Sequence, residues 1–477
     1  MLRFLELRRS LGFALVLVIL VFLAGRKAPR FDLTANRSAW NVLILTLDTT
    51  RADRLGAYGF AGADTPNIDR VAGEGVLFEQ AESAAPLTLP AHSSLFTGRF
   101  PFQHGVRDNG AVLDPAELTL AQVFQARGFR TAAFAASYVL DARWGLARGF
   151  DVYDGNFEPR RGDDLHLDDV RRPADEVVDH ALAWLETVSG SQFFGWLHFY
   201  DAHTPYDPPE GRANRATGYQ GAIAFMDSQI GRVLAFLDAR HLRERTLVVL
   251  VGDHGESLGE HGERTHGLFV YEAVTRVPLI ISAPSPRMVG RRVTDVVRSV
   301  DVMPTVLDLL GIRVPSSVAG TTLAARMTGA TREAEIDTYS ETMYPRYHFG
   351  WSELRAVRAG AFKLIAAPRP ELYDLDTDPG EEHNLYALRP AVAAALARRL
   401  RARESGDAGR APHNQAIDPD AAARLAALGY VAGSADVSEP RAWLADPKDK
   451  IDLYQLITGD RKRDVSPAPD RSRRPGH

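Results

Sequence analysis

Three uninterrupted apolar runs constrain the fold of this chain more than any other feature. They are NVLILTL at 41–47, FFGWLHFY at 193–200 and TLVVLV at 246–251. Runs of this length without polar alternation are typical of strands that are buried on both faces of a parallel sheet. Helical patterns lie between or beside them, at 118–127, 173–188 and 219–237. The alternation predicts an α/β fold with a mostly parallel central sheet and helices on both of its faces.

Polar residues follow two of these runs directly. Asp48 comes after the first run, and Asp253 and His254 come just after the third. Because ligands bind outside the carboxyl ends of strands in such sheets, we expect these side chains to meet at one site. Two carboxylates and an imidazole suit a hard or borderline divalent cation: Ca, Mg, Mn and Zn all remain open. The structural alternatives are a helix-capping aspartate and a plain Asp-His-Gly turn.

The segment PLTLPAHSSLFTGR at 86–99 offers a nucleophile. Pro90 is favourable in the first turn of a helix, so Thr88 is expected just before a helix N-terminus. At that position the backbone N–H groups and the helix dipole favour an anion and lower the cost of an alkoxide. We therefore predict Thr88 as nucleophile and as a further metal ligand. The structural alternative is a simple Thr-x-Pro capping sequence.

Composition excludes several classes of protein. Lys plus Arg number 56 against 61 for Asp plus Glu, giving a net charge of -5, and this balance argues against a nucleic-acid partner. The chain has 0 cysteines, which removes disulfides, thiolate nucleophiles, Cys-ligated zinc and iron–sulfur clusters. The chemistry therefore depends on oxygen and imidazole ligands.

In their order, the segments resemble the sulfatase family of the alkaline-phosphatase-like superfamily, over about 41–385. NVLILTLDTTRADRLGAYG at 41–59 looks like the opening strand with its metal-binding Asp, and TLPAHSSLFTGR at 88–99 looks like the family signature. The block 251–281 resembles the Asp-His-Gly segment and the strand after it, and ELYDL at 371–375 is similar to the C-terminal subdomain. The resemblance implies a three-layer sandwich with a mostly parallel central sheet, and a small C-terminal antiparallel-sheet α+β subdomain. It also implies a metal-dependent hydrolase.

The chain departs from the family at the anion pocket. Thr88 stands where sulfatases carry the Cys or Ser that is oxidised to formylglycine, and threonine cannot give that aldehyde. The signature Arg is His92, the second Asp after the first strand is Thr49, and 135–137 lack the expected Lys and His. In related phosphodiesterases and headgroup transferases a Thr is the nucleophile. We therefore expect a hydrolase or transferase that cleaves phosphate, and also sulfate, esters through a covalent intermediate. The alternatives are a true sulfuric ester hydrolase of the arylsulfatase type and a catalytically silent anion-binding protein.

The resemblance also suggests further site residues. His266 lies where many family members have a Lys, and its usual pKa suits protonation of the leaving group, so the predicted catalytic residues are Thr88, His92 and His266. The predicted metal ligands are Asp48, Thr88, Asp253 and His254. The predicted substrate-binding residues are His203, His104, Arg107 and Asn109. For each lone histidine, a satisfied structural role is the alternative.

The N-terminal region predicts attachment to a membrane. An apolar run at 11–25 lies between basic residues at 3, 8 and 9 and basic residues at 26, 27 and 30. We expect an uncleaved signal anchor first and a cleaved signal peptide second. The anchor would give a single pass through a bacterial inner membrane, with the catalytic domain in the periplasm or outside the cell.

The predicted organisation has five parts. They are the signal segment at 1–30, a sulfatase-like catalytic domain at 38–335, the C-terminal subdomain at 336–405, a helical linker at 406–458 and a disordered tail at 459–477. Within the linker, LAALGYVAG at 425–433 resembles the linker of sulfatase-like proteins that continue into tetratricopeptide repeats. No such repeat follows here, so we expect that a tetratricopeptide-type partner array has been lost. The predicted partners are an anionic ester and the membrane.

Overall fold

The computed structural model describes residues 39–157, 169–206, 218–329, 334–405, 419–428, 430 and 443–458. Within those ranges, no helix is both long enough and apolar enough to cross a bilayer. The predicted membrane segment at 11–25 and the predicted tail at 459–477 lie outside the described residues, and both stay predictions.

A mixed central sheet dominates the fold. Its strands are β1 (Asn41–Leu47), β2 (Val76–Glu82), β3 (Arg130–Phe134), β4 (Val152–Asp154), β5 (Phe193–Phe199), β6 (Thr246–Gly252), β7 (Arg276–Ser282) and β8 (Arg291–Arg298). Their order is β4-β3-β5-β1-β6-β7-β2-β8. Strand β7 pairs antiparallel with both of its neighbours, and the other described pairs are parallel. The predicted mostly parallel sheet is confirmed.

Helices lie between the strands of the described residues and after the last of them. They are α1 (Pro66–Gly73), α2 (Thr88–Thr97), α3 (Pro101–His104), α4 (Leu120–Gln125), α5 (Ala174–Val188), α6 (Gly218–Ala239), α7 (Glu272–Thr275), α8 (Val302–Leu309), α9 (Ala324–Thr328), α10 (Tyr344–Phe349), α11 (Pro390–Ser405), α12 (Pro419–Ala427) and α13 (Ile451–Ile457). Helix α4 begins with a reciprocal cap between Thr119 and Gln122. Helix α5 carries Asp175 and Glu176 in its first turn, where the helix dipole favours negative charge.

The middle of the sheet determines where the site lies. Strand β1 lies between β5 and β6, and all seven of its residues are buried. Parallel pairing aligns Leu47 with Gly252 on one side and with Phe199 on the other. The residues that follow these three strands therefore emerge side by side at one sheet edge, as ligands do in open α/β sheets.

A second, antiparallel sheet follows the first. It contains β9 (Thr338–Thr342), β10 (Leu354–Ala359), β11 (Phe362–Ala366) and β12 (Glu371–Asp374) in the order β12-β11-β10-β9. A cluster of buried apolar residues joins its Val357 and Leu364 to Leu396 of α11 and to Phe100 and Phe102, which follow α2. Burial of this contiguous surface fixes the small sheet beside the helix that carries Thr88. The predicted fold class is confirmed.

Candidate metal and nucleophile site

The candidate site lies at the carboxyl ends of β1, β5 and β6. Asp48 follows β1, Asp253 and His254 follow β6, and Thr88 opens α2. Asp48, Thr88 and His254 have no exposed surface, and Asp253 is 3% exposed. The structure thus brings together, in one buried place, the four residues that the sequence predicted as metal ligands.

The Thr88 hydroxyl lies between two of these residues. Its Oγ1 donates to Asp48 Oδ2 at 3.3 Å and lies 3.3 Å from His254 Nε2. The preceding Leu87 has extended backbone, so Thr88 is the first helical residue of α2. The positive end of the helix dipole therefore acts on the hydroxyl and favours its deprotonated form.

His254 presents a free lone pair to this hydroxyl. Its Nδ1 lies 3.0 Å from the carbonyl oxygen of Gly255, which only accepts hydrogen bonds, so Nδ1 carries the ring proton. Burial, followed by the nearby charge of His266, holds the pKa of His254 well below its usual range, which keeps the ring neutral. Its Nε2 is then unprotonated and lies 3.5 Å from Asp253 Oδ2. A neutral imidazole with one nitrogen anchored by the backbone is the state in which histidine binds metals.

Two carboxylate oxygens complete the candidate cation site. Asp253 Oδ1 accepts from the backbone N–H groups of His254 at 2.7 Å and Thr49 at 3.2 Å, while its Oδ2 has no partner among the described residues. Asp48 Oδ1 is likewise buried without a described partner. The ligand atoms of Asp48, Asp253 and His254 all lie within 4.8 Å of one another. Orphaned, converging carboxylate oxygens of this kind fit a divalent cation.

The electrostatics of the carboxylates agree with this assignment. Burial raises the pKa of Asp48 to about 7. Burial and then the Asp48 charge raise the pKa of Asp253 well above its usual value. Without a compensating positive charge, burial would therefore favour the neutral acids. A bound cation would reverse that preference and keep both side chains ionised.

His198, which the sequence analysis did not select, supports Asp48 from β5. The backbone N–H of Ala136 donates to its Nδ1 at 3.2 Å, so the proton of the neutral ring is on Nε2. That Nε2–H group donates to Asp48 Oδ2 at 3.1 Å, and both side chains are fully buried. Burial lowers the pKa of His198 to about 3, in agreement with a neutral ring. A histidine inside an otherwise apolar run was the available sequence signal.

His92 lies one helical turn after Thr88 on the same face of α2. Its Nδ1 donates to the Thr88 carbonyl oxygen at 2.8 Å and lies 3.5 Å from Asp253 Oδ2. Its Nε2 is buried without a partner among the described residues. Burial and the neighbouring His198 lower the pKa of His92 to about 3. The Nδ1 proton of His92 is already donated to the Thr88 carbonyl oxygen. The predicted catalytic role of His92 therefore stays a prediction.

His266 and His203 line the same pocket. The His266 ring centroid lies 4.5 Å from that of His254 and 5.0 Å from that of His203. His266 Nδ1 lies 3.0 Å from Glu256 Oε1, and although burial lowers the pKa of His266, the Glu256 carboxylate raises it above its ordinary value. His203 stacks on Tyr200 at 4.3 Å, and its Nε2 has no partner in the described part of the chain. Both predicted residues therefore reach the site, and Glu256 is an addition to it.

The other three predicted substrate-binding residues have partners within the protein. His104 accepts from the Val106 N–H at 3.1 Å and lies 2.9 Å from Ser94 Oγ. Arg107 donates to both carboxylate oxygens of Glu341 in β9, at 2.5 and 2.7 Å. Asn109 Oδ1 accepts from the Leu89 N–H at 2.9 Å, in the first turn of α2. These contacts hold α2 and the small sheet in place, and substrate binding by the three residues stays a prediction.

Tyr430 also enters the pocket, from beyond the C-terminal sheet. Its hydroxyl lies 3.3 Å from His266 Nε2, and the residue is 7% exposed. Burial and then the Asp48 charge raise its pKa well above the usual value, and a hydrogen bond with Thr88 acts in the opposite direction. In the sequence, the segment around Tyr430 indicated only a linker, because no local pattern shows which distant pocket a loop tyrosine enters.

This sheet, with a hydroxyl, carboxylates and imidazoles at its strand ends, defines an ester hydrolase of the alkaline-phosphatase-like class. A family model described as Sulfatase matches residues 40–312, more than half of the chain, and the chain belongs to the sulfatase family. A second model, described as N-sulphoglucosamine sulphohydrolase, C-terminal, matches residues 259–405. Sulfatase-family enzymes use a divalent metal, and the candidate ligands here are Asp48, Asp253 and His254.

Individual relatives agree with the family, and a solved structure agrees with the fold. An arylsulfatase of Clostridium perfringens is 25% identical over 437 residues, which cover 72% of this chain and 90% of that protein. A multifunctional alkaline phosphatase superfamily protein of Trinickia caryophylli is 26% identical over 482 residues, covering 75% of this chain and 93% of its own length. The crystal structure of a phosphonate monoester hydrolase of Agrobacterium radiobacter superposes with a TM-score of 0.65 at 23% identity, covering 77% of this chain and 96% of that one.

Proposed function

We propose that this enzyme cleaves phosphate esters, and sulfate esters at a lower rate, with Thr88 as a nucleophile that forms a covalent intermediate. The position of the Thr88 hydroxyl carries the proposal, because Oγ1 lies 3.3 Å from both Asp48 Oδ2 and His254 Nε2. A plain threonine held between a carboxylate and an unprotonated imidazole, at a helix N-terminus, has what an activated oxygen nucleophile needs.

Each residue has a defined part in this reaction. Asp48 Oδ2 accepts the hydroxyl hydrogen of Thr88, which prepares the oxygen for attack on phosphorus. A divalent cation held by Asp48, Asp253 and His254 would supply positive charge that stabilises the alkoxide and the anionic ester. The bond from Thr88 Oγ1 to phosphorus forms as the bond from phosphorus to the leaving oxygen breaks. His266, oriented by Glu256, then gives its Nε2 proton to that leaving oxygen.

A second displacement releases the phosphoryl group from Thr88. Water or an acceptor alcohol gives its proton to His266 Nε2, which lost one in the first step, and forms a bond to phosphorus. The bond from phosphorus to Thr88 Oγ1 breaks, and that oxygen takes back the proton that Asp48 Oδ2 had accepted. The same residues therefore serve a hydrolase and a transferase, and the acceptor makes the difference.

The preference for phosphate over sulfate is part of the proposal. Threonine cannot form the aldehyde hydrate that sulfatases derive from Cys or Ser, so Thr88 must act through its own hydroxyl. Two relatives bear names that favour phosphorus chemistry: the multifunctional alkaline phosphatase superfamily protein and the phosphonate monoester hydrolase. A sulfuric ester hydrolase is the alternative, because the family match and the arylsulfatase relative favour it.

The test compares turnover of aryl phosphodiester, phosphomonoester and sulfate substrates by the full chain with Ca, Mg, Mn or Zn. Thr88→Ala is measured beside Thr88→Ser, which keeps a hydroxyl at the same place. We expect phosphate-ester turnover to fall by roughly a thousandfold or more in Thr88→Ala, because loss of a covalent nucleophile has cost on the order of 10⁶ elsewhere. Thr88→Ser should retain measurable activity.

Three results would contradict the proposal, each in a different way. Activity that survives in Thr88→Ala would remove Thr88 as nucleophile. Turnover of sulfate alone would support the sulfuric ester hydrolase instead. Tight metal binding without turnover of any of the three substrates would indicate a catalytically silent anion-binding protein.

A further inference from the structure

Tyr430 lies outside both segments that match family models, which end at residues 312 and 405. It nevertheless reaches the centre of the pocket. Its ring centroid lies 6.2 Å from that of His266 and 6.4 Å from that of His203, and its hydroxyl lies 3.3 Å from His266 Nε2. A phenol from the C-terminal region, beyond both matched segments, therefore reaches the pocket.

The helix before Tyr430 fixes its position. The Tyr430 N–H donates to the carbonyl oxygen of Leu425 in α12 at 3.0 Å, which closes the end of that helix. Leu425 is buried, and the Arg424 guanidinium lies 5.2 Å from the centroid of the Tyr138 ring. Arg424 also donates to the Phe157 carbonyl oxygen. A residue anchored on both its backbone and its supporting helix is preorganised for contact with a ligand.

The chemistry of the pocket calls for a donor at this position. Positions 135–137 are Ala, Ala and Ser, so this segment brings no charged side chain to the anion. An unperturbed phenol has a pKa of about 10 and keeps its proton at neutral pH. Once Thr88 Oγ1 is bonded to phosphorus, the nonbridging oxygens lie one bond further out. A phenol whose hydroxyl already lies beside His266 in this pocket can then donate to one of them.

We propose that Tyr430 is a substrate-binding and catalytic residue whose phenol O–H donates to a nonbridging oxygen of the tetrahedral oxyanion held at Thr88. The inference rests on the proposed function, since it places the transferred group on Thr88. It assigns an anion-binding role to a part of the chain that neither family model reaches. Inorganic phosphate is the simplest ligand of this chemistry.

The test uses Tyr430→Phe in the full, metal-loaded chain, because phenylalanine keeps the ring and removes only the hydroxyl. Two quantities are measured: the Kd of orthophosphate by calorimetry, and kcat/KM for the aryl phosphate ester. We expect kcat/KM to fall about 100-fold, as when a single oxyanion donor is removed, and the Kd to rise about 10-fold. The control is Tyr153→Phe, which removes a phenol hydroxyl bonded to the Leu140 carbonyl oxygen and should leave both unchanged.

The two readouts separate failure of this inference from failure of the proposed function. If Tyr430→Phe matches the unaltered protein in both Kd and kcat/KM, the Tyr430 phenol does not bind the oxyanion. The proposed role of Thr88 would be unaffected by that result. If the protein turns over no phosphate ester but binds orthophosphate in a Tyr430-dependent way, the proposed function is wrong and the contact stands. Tighter phosphate binding or faster turnover in Tyr430→Phe would overturn the inference, because it would show that the phenol obstructs the site.

Discussion

The His198 imidazole accepts a hydrogen bond from Ala136 and donates one to Asp48, and two substitutions can separate these contacts. His198 accepts from the Ala136 N–H through Nδ1 and donates to Asp48 Oδ2 through Nε2. His198→Asn keeps an oxygen near the Nδ1 position for Ala136 but removes the donor to Asp48. His198→Gln does the reverse, because its longer side chain places an amide N–H near the Nε2 position.

The expected size of the effect follows from burial. The bond to Asp48 is 3.1 Å long, and neither side chain is exposed, so water cannot replace the lost donor. A hydrogen bond to a charged group contributes about 1.5–3 kcal/mol net. Since about 1.4 kcal/mol corresponds to a tenfold change in Kd, His198→Asn should weaken binding of the cation roughly 10- to 100-fold. His198→Gln should lose a smaller part of the affinity.

The assay is a metal titration of the chelator-stripped full chain, with Mn and Zn tested separately against a competing chelator. Thermal unfolding in the stripped state serves as the control, so that a general loss of stability is not mistaken for weak binding. Equal Kd values for His198→Asn and the unaltered protein would refute the reasoning. A larger loss in His198→Gln than in His198→Asn would also refute it, since the Ala136 contact would then be the important one.

Three further predictions concern the attachment of the small sheet. Lys363 Nζ lies 2.9 Å from Glu272 Oε1, so Lys363→Met should lower the free energy of unfolding by roughly 3–5 kcal/mol in urea titrations. Burial raises the pKa of Glu272, but the charges of Lys363 and then Arg358 lower it overall from 4.5 to about 2. The contribution of ionised Glu272 to folding stability is therefore complete above pH 4.5 and is lost as the pH falls towards 2. Acid titration of Glu272→Gln should show no such loss. Arg107→Ala should cost about 3–5 kcal/mol of stability, because it leaves Glu341 buried and unpaired. A higher orthophosphate Kd in the folded variant would support the predicted substrate contact, and an unchanged Kd would contradict it.

Local sequence patterns were sufficient for the fold class and for three strands in the middle of the central sheet. The runs at 41–47 and 246–251 are the observed strands Asn41–Leu47 and Thr246–Gly252, almost to the residue. Strands buried on both faces of a parallel sheet need apolar residues throughout, and this requirement can be read directly along the chain. The reversed strand β7 could not be predicted in this way, because strand direction depends on pairing between distant segments.

The sequence by itself determined the residues that follow two strands, namely Asp48, Asp253 and His254, and the residue that opens a helix, Thr88. Each is marked by its place at the end of a regular element, and the family resemblance fixes their order. Only the tertiary structure decided that His198 supports Asp48, that Arg107 binds Glu341 and that Tyr430 enters the pocket. The contact with Glu341 spans 234 positions of the chain, and the contact between Tyr430 and His266 spans 164. Such partners are selected by packing and by the need of buried polar groups for hydrogen bonds, and a local pattern records neither.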